Sequence, residues 1–262
     1  MNSKSKINET IKLFRSSDHP CSYKEDETAA TVFVDPELNI SQHLNSRLTE
    51  LGYRRSGAHL YRPDCKLCRA CISCRLPVAQ FKRSKRFQRI WNRNADVRVE
   101  KCDELKGDQA YFLYQEYIEK RHSDGDMYPA TTEQFDAFIR SKAEGSQYYC
   151  FYILEKLIAV SVTDILDGGL SAVYTFFDPN LAKRSLGNFV ILWQIEQARS
   201  LGLGHLYLGY WIKNCAKMDY KSTFRPLEML VEGKWVLVNS CAGESIPRPM
   251  LVTLAALPVS KL

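Results

Sequence analysis

Leu157-Ile158-Ala159-Val160-Ser161-Val162-Thr163-Asp164-Ile165, then Asp167-Gly168-Gly169, then Leu170-Ser171-Ala172-Val173-Tyr174-Thr175-Phe176-Phe177 is the stretch on which the fold turns. The flanking runs read as strands, and Asp167-Gly168-Gly169 supplies a tight turn between them. Tyr148–Leu154 adds a third strand upstream, making a meander. Helices are expected before it, at about 106–121 and from Thr132 to Ala143. After it, a helix runs from about Gly187 to Leu201, with Ser185 placed to cap it and Gly202 to end it. Ile191, Ile195 and Ala198 give that helix its core face. His205–Leu208 is a strand, about 213–221 a short helix, and Leu227–Val231 with Lys234–Val238 a hairpin about Glu232-Gly233.

This order of elements is that of a GNAT-like acyltransferase fold, in the α/β (α+β) class. Nearer the start, Thr31–Asp35 reads as a strand ended by Pro36. Ile40, Leu44, Leu48 and Leu51 recur on one helical face, with Asn39 or Ser41 as cap and Gly52 as stop. Residues 53–74 are punctuated by Gly, Pro and Cys and read as loop-rich. Arg75–Phe81 is expected as a strand and 84–94 as a basic helix. The expected division is a smaller Cys-containing basic domain over 1–100, a GNAT-like domain over 101–240, and a proline-bearing tail over 241–262.

The charge is as uneven as the pattern. The 262 residues carry a net +6, but residues 1–100 hold 19 Lys+Arg against 11 Asp+Glu, while the remainder holds 17 against 19. Between Arg47 and Arg98 there are 14 basic and 3 acidic residues. A basic part beside a neutral one points to a polyanion held by the basic part. No apolar run reaches 18 residues and the first 30 residues contain no apolar signal core, so no membrane span is expected. Nine cysteines in such a chain read as reduced thiols of a cytoplasmic protein rather than a disulfide framework.

Several motifs carry chemistry. Cys65, Cys68, Cys71 and Cys74 stand three apart, a spacing at which thiolates can converge on zinc or an iron–sulfur cluster. So close a run is cramped for one ion, and Cys21 would ease it as a fourth ligand, leaving Cys74 incidental. Lys82, Arg86, Arg89 and Arg93 step by four, three and four along one helical face, a stripe able to track phosphates without reading bases. Phe87 and Trp91 are expected to face the core. The turn Lys183-Arg184-Ser185-Leu186-Gly187-Asn188 opens a helix and offers free N–H groups to an anion. Phe189, where acetyl-CoA-binding turns carry a small residue, opposes a pyrophosphate there. Asp178 sits at a strand end, placed to accept a proton, and Lys217, Tyr220 and Lys221 are spaced to share a helical face. Arg54 and Arg55 are adjacent guanidiniums of the kind that grip carboxylates with two hydrogen bonds; adjacent residues diverge, so one of the two is expected to enter a site.

Gly52-Tyr53-Arg54-Arg55-Ser56-Gly57, Tyr61-Arg62-Pro63 and the cysteines resemble the N-terminal part of the aminoacyl-tRNA–protein transferases. Val173-Tyr174-Thr175-Phe176-Phe177-Asp178-Pro179, Arg184-Ser185-Leu186-Gly187, Tyr207-Leu208-Gly209-Tyr210-Trp211-Ile212, Lys217-Met218, Tyr220-Lys221 and Phe224-Arg225-Pro226 resemble their C-terminal part. The resemblance runs from about Cys21 to Trp235 and favours the short bacterial branch, which moves leucine from leucyl-tRNA onto proteins beginning with Asp or Glu and so marks them for degradation. It implies that Tyr174, Asp178, Lys217, Tyr220 and Lys221 line the active cleft, and that Arg54 or Arg55 binds the acceptor carboxylate. It also implies that Lys82, Arg86, Arg89, Arg93, Arg184 and Ser185 contact tRNA, and that Cys21 joins Cys65, Cys68 and Cys71, although Lys24 stands where the longer relatives have a second early cysteine. The chemistry asks for no cofactor: an ester passes to an amine whose pKa is about 8. An arginyl-specific pocket would need a buried acid, for which Asp164 and Glu196 are candidates. Arginyl transfer, acetyl-CoA-dependent N-acetylation and a non-enzymatic RNA-binding zinc module are the rival readings.

Overall fold

The meander is the middle of a larger sheet. The computed structural model describes residues 11–105 and 107–238. In chain order its elements are β1 (Leu13–Arg15), β2 (His19–Pro20), β3 (Thr28–Ala29), β4 (Thr31–Val34), α1 (Gln42–Glu50), β5 (Arg54–Ser56), β6 (His59–Pro63), β7 (Ile72–Pro77), α2 (Lys85–Arg93) and β8 (Arg98–Cys102). Then follow α3 (Gln109–Arg121), α4 (Thr132–Phe135), β9 (Ser146–Ile153), β10 (Lys156–Ile165), β11 (Gly169–Phe177), α5 (Leu186–Ser200), β12 (His205–Trp211), β13 (Leu227–Val231) and β14 (Lys234–Val238). The expected tail lies outside the described residues.

The large sheet has the order β14-β13-β7-β12-β11-β10-β9-β8. Strands β8 to β11 are antiparallel neighbours, and α5 then carries the chain to β12, which lies parallel to β11. Past a register shift between Leu157 and Ala159, alternation along β10 sends Ala159 to a core shared with Val190, Leu192 and Ile195 of α5, and Val160 and Val162 to a core shared with Tyr114 and Ile118 of α3. Helices therefore cover both faces, as the sequence order requires. A smaller sheet, β1-β4-β6-β5, packs with α1 around Val32, Val34, Leu48, Tyr53 and Leu60.

The parts of the chain on either side of residue 100 share one sheet. Strand β7, from the expected N-terminal domain, lies in the middle of the large sheet between β13 and β12. Its register sets Leu76 against Leu206 and Cys74 against Met229, all buried. Separated from β12 and β13, β7 would expose that apolar row and its ladder groups, so both parts share one core. Arg75 fastens the join by pairing with Glu50 of α1 at 2.8 Å and Glu228 of β13 at 2.6 Å.

Two helices are shorter than expected. After α4 the chain makes a π-helical turn over Asp136–Arg140 and stops short of Ala143. The predicted helix at 213–221 is a turn followed by a 3₁₀ segment, Asp219–Thr223. Ser41 caps α1 and Ser84 caps α2, each accepting a backbone N–H. Ser185 does not cap α5 with its side chain; it takes a left-handed conformation, φ 54°, and joins the 3₁₀ segment Pro179–Arg184 to the helix.

Candidate active site

Strand alternation sends Arg54 and Arg55 in opposite directions, and their surroundings give them different work. Arg55 meets Asp164 of β10 through two hydrogen bonds of 2.7 Å, with both side chains buried, and donates to the carbonyl of Gly57. That guanidinium is consumed by the fold, so Arg55 is withdrawn as an acceptor contact. Arg54, 8% exposed, donates to the Ser171 hydroxyl at 3.0 Å and the Ala172 carbonyl at 2.7 Å. Among the described residues no carboxylate pairs with it. Gly209 explains how the guanidinium fits: φ is +83°, and a Cβ there would stand 3.0 Å from Arg54 Nε.

Arg54 acts electrostatically on Lys221, Tyr61, Tyr210 and Tyr220, which places these groups around it. Lys221 is 6% exposed; its ammonium donates to the Tyr210 carbonyl and touches Met218 Sδ at 3.2 Å. Burial pulls its pKa down to about 8; the neighbouring Cys74 opposes that fall and Arg54 adds to it. Again no carboxylate partner exists among the described residues. Two buried cations side by side, neither paired with an acid, make a site for an anionic group. Desolvation pushes the Tyr210 and Tyr220 hydroxyls well up, so they stay neutral donors. Tyr220 itself is 41% exposed and opens the site to solvent.

Tyr174, on β11, lies beside this group. Its hydroxyl is raised by desolvation and by Tyr117 and Tyr114, and stands 3.6 Å from Met127 Sδ. Tyr117 also acts on Tyr220, and its hydroxyl is 3.1 Å from Nε2 of His122. Desolvation, with Lys217 and Arg121, pushes the His122 pKa down, so its ring is neutral near pH 7. Sequence reasoning missed Tyr117, His122 and Met127. The polar run Arg121-His122-Ser123-Asp124-Gly125-Asp126-Met127 was the available signal.

Two expected catalytic residues are corrected. Asp178, 2% exposed, accepts from the backbone and side-chain N–H groups of Asn180, both at 2.9 Å, and from Lys156 at 2.7 Å. Burial pushes its pKa up, but these bonds outweigh that and hold it below the usual carboxylate range. A carboxylate so occupied caps a 3₁₀ segment and has little basicity left to accept a substrate proton. Lys217 is not on a helix with Tyr220 and Lys221; it lies in the preceding turn and pairs with Asp124 at 2.8 Å.

Of the basic stripe, Arg86, Arg89 and Arg93 lie on α2 and Lys82 lies before it. Lys82, Arg86, Arg89 and Arg93 are exposed on and beside α2, without a carboxylate partner among the described residues. Phe87 stacks on Phe224, centroids 4.4 Å apart, and Trp91 packs 5.7 Å from Phe189. Phe224 follows the segment that carries Lys221, so α2 is braced against the candidate site. Arg93 donates to the Lys183 carbonyl. Arg184 forms a bidentate pair with Asp96 at 2.7 and 2.8 Å, so its guanidinium is shared with a carboxylate of the fold. Phe189, 3% exposed, points into the core and not over the turn, so its bulk guards nothing there.

Cys21, Cys65, Cys68 and Cys71 line one cavity with Lys24 and Arg69. Cys71 is raised to about 12 by desolvation and by Cys65, Cys21, Cys68 and Cys215. Four soft donors around one space suit zinc or an iron–sulfur cluster in kind. They do not converge: among the described residues no three His, Cys, Asp or Glu side chains stand ready to share an ion. Cys74 is separate, its Sγ bonded to the Gly209 carbonyl at 3.2 Å. The acids that could have served an arginine pocket are engaged: Asp164 with Arg55, and Glu196 with Arg83 and Arg199. Among the described residues no helix is long and apolar enough to cross a membrane.

Comparison with known proteins gives the family. Residues 19–89 match the family model described as arginine-tRNA-protein transferase, N terminus, and residues 109–231 match that for the C terminus. An aspartate/glutamate leucyltransferase of Pseudomonas fluorescens is 48% identical over 229 residues, covering 87% of this chain and 97% of the relative. That of Stutzerimonas stutzeri is 48% identical over the same shares. Among solved structures, FemX is 10% identical with a TM-score of 0.42 over 79% of this chain and 81% of its own. L-PGS from Bacillus licheniformis is 10% identical with a TM-score of 0.43 over 56% of this chain and 47% of its own. The chain belongs to the aspartate/glutamate leucyltransferase family of aminoacyl-tRNA–protein transferases.

Proposed function

We propose that this chain transfers leucine from leucyl-tRNA to the α-amine of proteins that begin with Asp or Glu, in the cytoplasm where leucyl-tRNA is made. The observation that carries the reading is the buried Arg54 guanidinium beside Lys221, with no carboxylate of the fold paired to either. An acidic N-terminal side chain supplies the missing charge. Arg54 meets that carboxylate with its fork, and Lys221 faces the adjoining α-amine. A lysine held near pKa 8 matches an α-ammonium of about 8, so the neutral lysine can take the proton that must leave before the amine attacks. The neutral Tyr174 and Tyr220 hydroxyls donate to the oxyanion as the ester carbonyl becomes tetrahedral. The ribose hydroxyl then leaves and an amide remains. The exposed cations Lys82, Arg86, Arg89 and Arg93 hold the tRNA backbone, braced to the site through Phe87 and Phe224. Holding both substrates together supplies most of the rate, since effective molarities can reach roughly 10⁵ M or more.

A structural zinc or iron–sulfur cluster on Cys21, Cys65, Cys68 and Cys71 belongs to the same proposal, supported by their shared cavity. It would fix the loop between β6 and β7 once the thiols close in; no step of transfer passes through it. Zinc and iron measured on protein purified without oxygen test this part: at least 0.5 equivalent supports it, and metal-free folded protein removes it. The main reading is tested with tRNA charged with labelled leucine or arginine and peptides starting with Asp, Glu or Ala. Leucine on the Asp and Glu peptides is expected. Arginine transfer, or leucine on the Ala peptide at an equal rate, overturns it.

A further inference from the structure

Cys102 ends β8, the outermost strand of the large sheet, and Cys150 lies on its neighbour β9. The antiparallel register sets Cys102 opposite Tyr148 and Cys150 opposite Glu100, so the two cysteines are diagonal neighbours on one face of the sheet. Their sulfurs are 2.9 Å apart. A disulfide bond is about 2.05 Å long, so closure requires the sulfurs to approach by roughly 0.9 Å. The two sites differ in access: Cys102 is half-buried at the sheet edge, while Cys150 is a buried member of the core beneath α3. Neither belongs to the cavity of Cys21, Cys65, Cys68 and Cys71, and neither enters the transfer chemistry proposed above.

We propose that Cys102 and Cys150 are a reversible redox pair, closing to a cross-strand disulfide when a peroxide reaches the sheet edge. Cys102, the accessible thiol, loses its proton and attacks the peroxide O–O bond; it becomes a sulfenic acid and water leaves. The Cys150 sulfur then attacks that sulfenic sulfur, its proton leaves with the departing hydroxide as a second water, and the S–S bond forms. Two thiols and one hydrogen peroxide thus give one disulfide and two waters. Burial, with the Cys102 contact, pushes the Cys150 thiol up, so Cys102 and not Cys150 is the sulfur that meets the peroxide first. A dithiol reductant reverses the bond. The closed form ties the last residue of the edge strand to the core strand and so staples the start of the connection into α3.

Trypsin cleavage at Lys101, Lys106, Lys142 and Lys156 puts Cys102 in peptide 102–106 and Cys150 in peptide 143–156. The full chain is treated with a few equivalents of hydrogen peroxide, remaining thiols are alkylated, and the digest is weighed. The expected product is the two peptides joined, lighter by two hydrogens than their sum and separated by dithiothreitol. Cys102→Ser and Cys150→Ser, each folded by circular dichroism, should both lose that product, with Cys102→Ser keeping Cys150 fully alkylatable after denaturation. Recovery of both wild-type peptides alkylated after peroxide, or Cys102 joined to a cysteine of the cavity, overturns the assignment.

Discussion

Replacing Arg54 and Arg55 in turn by Met should separate function from folding at two adjacent residues. Arg55→Met leaves Asp164 as a buried charge without its bidentate partner. Removing one member of a buried pair costs about 3–5 kcal/mol. At roughly 2–4 °C per kcal/mol for a chain of this size, the melting point should fall by about 6–20 °C. Arg54→Met gives up bonds to Ser171 and Ala172, worth about 1 kcal/mol each, but also relieves the burial of an unpaired cation, so stability should shift by no more than about 2 kcal/mol. Its loss falls on the acceptor. Truncating one partner of a buried hydrogen-bonded charge pair costs about 2–5 kcal/mol. With tenfold per 1.36 kcal/mol, kcat/KM for an Asp-starting peptide should drop about 30-fold to several thousandfold. The assays are labelled-leucine transfer from leucyl-tRNA and thermal unfolding followed by circular dichroism. Transfer by Arg54→Met within threefold of wild type, or Arg55→Met with an unchanged melting point, would refute the reasoning.

Lys221 gives a pH signature. Its folded pKa of about 8 lies below the ordinary 10.5, so between those values the unfolded chain binds more protons and stability rises with pH. The cost of burying the cation is present in full below about pH 8, and the gap corresponds to roughly 3 kcal/mol by pH 10.5. Urea titrations from pH 7 to 9.5 should show wild type gaining on Lys221→Met, and parallel profiles would exclude the depressed pKa. Lys82, Arg86 and Arg89 replaced together by Ala should flatten the plot of log affinity for leucyl-tRNA against log salt by about 2–3 units, at about 0.7–0.9 per phosphate contact; an unchanged slope removes the stripe from the interface. Asp178→Ala should lose about 1–2 kcal/mol as a lost cap while keeping transfer per folded molecule within threefold. A hundredfold loss in folded Asp178→Ala would restore Asp178 to the chemistry.

The meander, α5 and the closing hairpin were legible because their periods and turn residues are local facts. So were α1 and α2 as helices: Ser41, one of the two expected caps, caps α1, and Leu48 and Phe87 face the core as expected, while Leu51 of the expected α1 face is exposed. Strand β7 was placed a few residues late, and its partners lie far along the chain, at 205–211 and 227–231. No local pattern reveals that a strand in a basic, Cys-rich segment will complete a distant sheet. Alternation foretold that one of Arg54 and Arg55 would enter a site, but the choice rests on Asp164, more than a hundred residues away. The face shared by Lys217, Tyr220 and Lys221 assumed an α-helix where only Asp219–Thr223 is helical, as 3₁₀. Arg184 and Asp178 carried signals of function that structural partners, Asp96 and Lys156, take up in the folded chain.

A direct comparison of kcat/KM for two peptides identical except for Asp or Asn at the first position isolates one charge at nearly constant shape. With leucyl-tRNA as donor, a buried unpaired Arg54 predicts that the Asp peptide is favoured by about 30-fold or more, since the neutral amide leaves the guanidinium uncompensated. Equal rates for the two peptides would contradict the claim that this cation selects the acceptor.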